Sequence, residues 1–349
     1  MRKRPTPHGK FVDRGKKPML GAAVLVLAWG VLGGIQMRST GHGGYSTGLG
    51  ATVSRLEERG PAERSGLAVG DRITEVDGVP VENPWSRPDR HGLESGRQQS
   101  LSVERAGTTQ TVHVTWGPRS PEQWRSLLLD FVVTASFLGF GLWAYLASGT
   151  MPGFLLAVLG ICYGVANFRG PNAGLLDSGT GFIQHNLGVL YTGILAHLLV
   201  VYPRRKRIGG RPVPGWAVYA AFLPLLAFGA VEWRIFPAFL DQYRAVGAYT
   251  DLLYMVLCLT ALVHTWIVIP RSERRSTGFN RVLWGLALAF GPFLILGLLG
   301  VVLPGFVLPG SEYLVLLGGV IPGSMAMAVV MGHRSRLRTA YSALNASEG

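Results

Sequence analysis

Leu127-Leu128-Leu129-Asp130-Phe131-Val132-Val133-Thr134-Ala135-Ser136-Phe137-Leu138-Gly139-Phe140-Gly141-Leu142-Trp143-Ala144-Tyr145-Leu146-Ala147 is a nearly continuous apolar run whose single charge, Asp130, sits near its start. A helix needs roughly 17–25 such residues to cross the hydrocarbon of a bilayer. Working outward, seven more stretches read the same way: Met19–Met37, Pro152–Phe168, Ile183–Tyr202, Trp216–Val231, Leu252–Ile269, Val282–Leu303 and Tyr313–Met331. The expected fold class is a membrane all-α helical bundle of about eight transmembrane helices. One small β-rich α+β unit is inserted between the first and second spans.

Composition supports a bilayer as the solvent. The 349 residues would fit two or three soluble domains by length, but 48% are hydrophobic, only 15% are charged, and 48 are glycine. Gly and Pro are tolerated in membrane helices because neighbouring helices re-satisfy the freed backbone groups. Cys162 and Cys258 both fall inside apolar stretches, which reads as two buried thiols and not as a disulfide framework or zinc site.

The net charge of +13 raises the question of nucleic acid, and its placement answers it. Between Arg38 and Asp130, eleven Lys/Arg face twelve Asp/Glu, and the excess sits in short segments beside apolar runs. That is a topology signal, so no nucleic-acid partner is expected. With the N-terminus in the cytoplasm and sides alternating, the cytoplasmic segments hold nineteen Lys/Arg. The short outer loops hold three, Arg169, Arg234 and Arg244. The positive-inside rule then places both termini in the cytoplasm of a multi-pass inner (plasma) membrane protein. Trp124, Trp216, Trp233, Tyr202 and Tyr313 fall at span ends, where amphipathic rings prefer to lie. Met19–Met37 lacks a close small-x-small site and is expected to remain as an uncleaved anchor. The resulting division is a basic tail (1–18), the anchor (19–37), the β-rich unit (43–117), a seven-span bundle (127–331) and a cytoplasmic tail (332–349).

Within the β-rich unit, apolar residues alternate in Ala51–Leu56, Arg72–Val76, Leu101–Val103 and Thr111–Val114, as in half-buried strands. Asp77-Gly78 and Ala106-Gly107 supply tight turns. Gly60-Pro61-Ala62-Glu63-Arg64-Ser65-Gly66-Leu67, then Gly70-Asp71-Arg72-Ile73, then Val76-Asp77-Gly78-Val79-Pro80-Val81, resembles the PDZ family. Gly48-Leu49-Gly50-Ala51 resembles that family's carboxylate-binding loop. The resemblance implies that the amides of Leu49, Gly50 and Ala51 receive a peptide's terminal carboxylate, and that Thr52, Val53 and Ser54 pair with the peptide by strand addition. Glycines let consecutive amides converge on an anion. The region of the family's second helix holds Pro84 and Pro88, which leaves at most a short helix between Pro88 and Leu93. A degenerate groove that only packs on the bundle is the alternative to peptide binding.

No catalytic pattern emerges, and the expectation is a protein that is not an enzyme and takes no cofactor or metal. There is no His-Glu-x-x-His for a zinc protease. Gly323-Ser324-Met325 with His197 or His264 offers material for an intramembrane serine site, but small-residue packing explains Ser324 better. Asp177-Ser178-Gly179 matches an aspartic-protease signature in an outer loop without the partner copy that chemistry requires. Polar residues at membrane depth are functional candidates by default: His197 and His264 inside spans, and His185, Glu232 and Asp251 near outer ends. The plain reading of His197 and His264 is satisfaction by neighbouring helices.

The order of anchor, PDZ-like unit and seven further spans resembles the membrane input region of ComP-type sensor histidine kinases. Those proteins continue into a kinase or phosphatase domain. Beyond Gly332 this sequence shows a basic segment, His333–Arg338, and no phosphoacceptor box. Expected partners are therefore the lipid bilayer, a peptide or protein C-terminus, and a cytoplasmic signalling partner. Two other readings stand beside this sensor: a transporter or lipid-handling protein, given Gly291-Pro292 and Pro322-Gly323, and an adaptor for an envelope protease.

Overall fold

The computed structural model describes residues 7–47, 51–81, 93–168, 177–227, 240–302 and 311–348. It is mostly helical, with one β-rich unit lying in chain order between the first helix and the first helix of a bundle.

Helix α1 spans Pro7–Gln36 and α3 spans Pro121–Ser148, with the short α2 (Pro61–Arg64) between them. Then follow α4 (Met151–Asn167), α5 (Asp177–Val201), α6 (Leu240–Val268), the single-turn α7 (Arg271–Ser276), α8 (Phe279–Val302) and α9 (Val320–Glu348). Among the described residues, four helices are long and apolar enough to cross a membrane: Gly15–Gln36, Pro121–Ser148, Val246–Val268 and Tyr313–Ala343. The third, fourth and fifth expected spans correspond to shorter apolar helices, Met151–Asn167, Asn186–Val201 and Gly215–Ala227. Leu25, Leu128, Leu259, Ile267 and Ile295 are exposed, the reverse of a water-soluble surface.

Three expectations need correction. The stretch expected as a helix from Trp216 opens as a 3-10 segment over Gly215–Phe222 and becomes α-helical over 223–227, where Pro224 has no amide to donate to Ala220. The last span likewise opens as a 3-10 segment, Ser311–Gly319, before Pro322 sits in the first turn of α9. Asp177-Ser178-Gly179, expected in a loop, forms the first turn of α5.

The bundle core forms where α3, α4, α5, α8 and α9 meet, around Phe137, Ala144, Leu156, Leu159, Leu198, Phe279 and Ala326. Glycines set the closest crossing. A Cβ on Gly141 of α3 would stand 2.4 Å from the Leu156 carbonyl oxygen, and one on Gly160 of α4 would stand 2.4 Å from that of Phe137. Small residues let helix backbones approach where apolar burial gives no net drive. Anchor helix α1 packs on this pair through Ala23, Val26, Leu138 and Phe168.

The cationic segments converge at one end of the bundle. Arg336 donates to the Pro203 carbonyl at 2.8 Å, Arg204 pairs with Glu273 at 2.8 Å, and Tyr202 donates to the Thr277 carbonyl. Lys206 closes the C-terminus of α5 by donating to the carbonyls of Leu199 (2.8 Å) and Tyr202 (3.2 Å). Burial pushes its ammonium down to about 8. At the opposite end Arg125 lies over the Tyr313 ring, 5.5 Å from its centroid. There the β-rich unit joins the bundle. Arg119 clasps the end of α1 to the start of α3 by donating to the Met37 and Thr40 carbonyls, both at 2.8 Å.

The β-rich unit holds an antiparallel pair, β1 (Tyr45–Thr47) with β2 (Val53–Leu56). A four-stranded sheet follows in the order β4-β3-β5-β6, from β3 (Arg72–Val76), β4 (Val79–Pro80), β5 (Gln98–Arg105) and β6 (Thr108–Thr115). Both expected turns form with positive φ at each central residue, Asp77 (52°) and Gly78 (76°), Ala106 (49°) and Gly107 (79°). That is the hairpin geometry whose twist matches the strands. Val53, Ala62, Leu67, Ile73, Val76, Leu101, Val103 and Val114 make a core separate from the bundle's. The unit begins earlier than residue 43: Gly41 donates to the Leu93 carbonyl (2.7 Å), and His42 exchanges backbone bonds with Gly117 (2.7 and 3.1 Å).

Candidate functional site

The candidate site is built around β2 and its neighbours. Gly48, Leu49 and Gly50 lie outside the described residues, as does the 82–92 stretch that includes Pro88. Ala51 follows in the left-handed region at φ 57°, an uncommon conformation for a residue with a Cβ. Thr52 forms a bridge with Arg72. The Val53 amide donates to the Asp71 carbonyl (2.7 Å), and the Val53 carbonyl accepts from the Gly70 amide (2.9 Å). The Ser54 hydroxyl donates to the Ser46 carbonyl at 3.2 Å.

These intrachain partners differ from the peptide pairing that the resemblance implies at Thr52, Val53 and Ser54. Strand β2 has β1 on one edge and residues 70–72 on the other, so an incoming strand finds no edge there. Among the described residues β1 has one strand neighbour, β2, and like β4 and β6 it stands at the edge of its sheet, where a strand can be added. Strand β1 is a three-residue Tyr-Ser-Thr segment between glycines, too short to be marked by alternation.

The loop 66–72 that covers β2 is held by Asp71. Its carboxylate, with the side chain 2% exposed, pairs with Arg105. It accepts from the Ala68 amide (2.8 Å), Arg105 Nε (2.7 Å) and Arg105 Nη2 (2.6 Å). Arg105 Nη2 also donates to the Gly66 carbonyl at 2.8 Å. The guanidinium beside Asp71 holds its carboxyl below the ordinary carboxylate value.

The segment entering β1 is Gly41-His42-Gly43-Gly44, which sequence reading had passed over. Its amides are largely committed: Gly41 to Leu93, His42 to Gly117, and Gly44 to His42 Nδ1 at 2.8 Å. Gly44 is at φ +75°, and a Cβ there would lie 2.8 Å from Pro61 Cδ, so this close approach requires glycine. The segment also reaches the bundle. Gln123, in the first turn of α3, donates through Nε2 to Glu57 (2.8 Å) and lies 3.3 Å from His42 Nδ1. Two donors on Nδ1 require the His42 tautomer protonated at Nε2.

Among the described residues, the polar candidates expected at membrane depth are placed in different ways. His197 is buried on α5, its Nδ1 3.0 Å from the Tyr219 hydroxyl, and a Cβ on Gly215 would meet its ring. Asp251 accepts from Thr192 at 2.7 Å, joining α6 to α5. His264 is exposed on α6, contrary to the neighbour-satisfied reading. The buried stripe of that helix runs through Tyr254, Ala261 and Thr265. The side chain of His185 and all of Glu232 lie outside the described residues. Among the described residues no three His, Cys, Asp or Glu side chains are grouped as metal ligands are. Ser324 donates to the Ile321 carbonyl (2.8 Å) and packs against Gly285. A groove of about 730 Å³ between α3, α8 and α9 is lined by Val133, Phe140, Trp284, Gly319 and Met327, with Arg281 among its walls.

A β unit of six described strands, with a short helix after β2, two tight hairpins and outer strand edges at β1, β4 and β6, has the build of a small interaction module carried by apolar helices. Comparison with known proteins agrees: residues 30–115 match the PDZ domain family, and this part of the chain is a PDZ domain. PDZ domain-containing protein 7 of Homo sapiens is 43% identical over 66 residues, covering 19% of this chain and 6% of that protein. The Mus musculus protein of the same name is 56% identical over 66 residues, 19% of this chain and 6% of its own length. A probable periplasmic serine endoprotease DegP-like from Pseudomonas putida (strain W619) is 37% identical over 75 residues, 21% of this chain and 16% of that protein. The chain thus spans a small fraction of each of these relatives. No solved structure matches it. A PDZ domain points to protein or peptide interaction, and the apolar helices to a membrane protein.

Proposed function

We propose that this chain is an eight-span receptor of the bacterial inner membrane, whose extracytoplasmic PDZ domain binds an extended peptide and signals through the bundle to a cytoplasmic partner. The observation that carries the reading is the edge position of β1, whose one strand neighbour among the described residues is β2, combined with the His42–Glu57–Gln123 contacts. The strand-adding edge and the first turn of α3 share one polar junction. A ligand transmits a signal only if it favours one packing over another, and this junction is where the domain's conformation meets the bundle. Because most amides of Gly41–Gly44 are committed, the peptide is held by main-chain pairing along β1 more than by capture of its terminal carboxylate.

Two measurements test the proposal. Extended peptides titrated into a 38–118 fragment, which carries its own core, should shift the amide resonances of Ser46 and Thr47 and leave those of Thr52–Ser54 nearly unmoved. A peptide amidated at its C-terminus should bind within about threefold of the free acid, a difference of about 0.65 kcal/mol. Absence of binding across a diverse peptide library sinks the receptor reading. For topology, an alkaline-phosphatase fusion after Gly117 should be active and one after Gly332 inactive; the opposite result reverses the orientation. Likeness to a DegP-like endoprotease favours one second reading, an adaptor that presents peptides to a partner protease, and co-purification of a protease would select it.

A further inference from the structure

Arg274 belongs to α7, the single turn joining α6 to α8 at the cationic end of the bundle. It is 7% exposed, and among the described residues its Nε and Nη1 have no hydrogen-bond partner. Its guanidinium carbon lies 3.9 Å from the centroid of the Trp266 ring. The indole face fixes the guanidinium plane and attracts the cation, but it offers no acceptor to N–H groups lying in that plane. Glu273, the only acid in Pro270–Arg281, is committed to Arg204 at 2.8 Å. A buried cation with unmet donors is costly unless an anion joins it.

We propose that Arg274, stacked against Trp266, binds the headgroup of an anionic phospholipid. Nε and Nη1 open on different edges of the guanidinium, so one acceptor atom cannot serve both. A lipid headgroup presents several oxygens at once, on the phosphate and on the ester carbonyls behind it. The surroundings select a lipid over a free phosphate. Trp266 is 53% exposed and is followed by exposed Ile267 and Val268, so the guanidinium adjoins an outward apolar face along which acyl chains can lie. Exposed Arg271 and Arg275 flank it and add to the attraction for negative charge.

The inference rests on the chain spanning a membrane, and alkaline carbonate extraction of cell membranes tests that reading by itself. Release of the chain overturns both. For the site, the full chain is purified in detergent and offered phosphatidylglycerol or phosphatidylcholine, with retained lipid read by native mass spectrometry. The wild type should hold phosphatidylglycerol about tenfold more tightly than phosphatidylcholine. Arg274→Gln should abolish the preference, and Arg338→Gln, exposed on α9, should keep it. Should Arg274→Gln fail to fold, Arg274→Lys takes its place: it keeps the charge but not donors on two edges, and should lose most of the preference at an unchanged melting temperature. Equal retention of the two lipids by wild type, or an unaltered preference in the Arg274 variant, overturns the site. Displacement of phosphatidylglycerol by millimolar glycerol phosphate assigns the cradle to a soluble phosphate and overturns the lipid.

Discussion

Replacing Asp71 with alanine is expected to cost the PDZ domain about 3 kcal/mol of stability. Its melting temperature in a 38–118 fragment should fall by roughly 15 °C. The carboxylate is buried and accepts three hydrogen bonds, from Ala68 and twice from Arg105. Truncation leaves the Ala68 amide unmet and frees the loop 66–72 that covers β2, while the half-exposed Arg105 turns to water. The sign of the pH dependence follows from the same contacts. Asp71 titrates below its ordinary 3.8 in the folded domain, so the unfolded chain binds more protons in acid. The stabilisation is complete above pH 3.8 and disappears as pH falls through the folded value. Thermal melts of wild type and Asp71→Asn should therefore converge on acidification below pH 4. A constant gap between them at every pH would show that the Arg105 contact contributes nothing.

Gly160→Leu should be the most damaging change in the bundle. The added side chain enters space held by the backbone of α3: its Cβ would be 2.4 Å from the Phe137 carbonyl oxygen and 3.0 Å from the Leu138 Cα. Backbone atoms cannot rotate away, so α3 and α4 must separate. The cost exceeds the roughly 1–3 kcal/mol of ordinary overpacking. Fluorescence-detected size exclusion of heated full-length protein should show a melting point lower by roughly 10 °C or more. Gly139→Leu on the exposed face of α3, where nothing lies within 4 Å, should melt like wild type. If both variants behave alike, the close helix crossing is wrong.

Much of this architecture is readable from the sequence because its signals are local. Period-2 alternation marked β2, β3, β5 and β6, and Asp77-Gly78 and Ala106-Gly107 marked the two hairpins. Hydropathy located the long helices, since unbroken runs of Leu, Val and Ile need no partner to be recognised. The site was less legible. Gly48, Leu49 and Gly50, implied by the resemblance as the carboxylate loop, lie outside the described residues. The bonds of Val53 to Gly70 and Asp71 are a pairing across a loop that no local pattern encodes. Strand β1 is too short to show alternation. His264 was misread as satisfied by neighbouring helices, because the buried stripe of α6 through Tyr254, Ala261 and Thr265 is visible only once the helix is packed.

The rung between His42 and Gly117, with Arg119 just beyond it, brings the way into the PDZ domain and the way out within one ladder spacing of each other. The domain thus hangs from a doubled stalk instead of a loose tether. A twist of the pendant head winds α1 and α3 as a single torsion bar, and a foreign module whose ends lie equally near would graft onto the same stem.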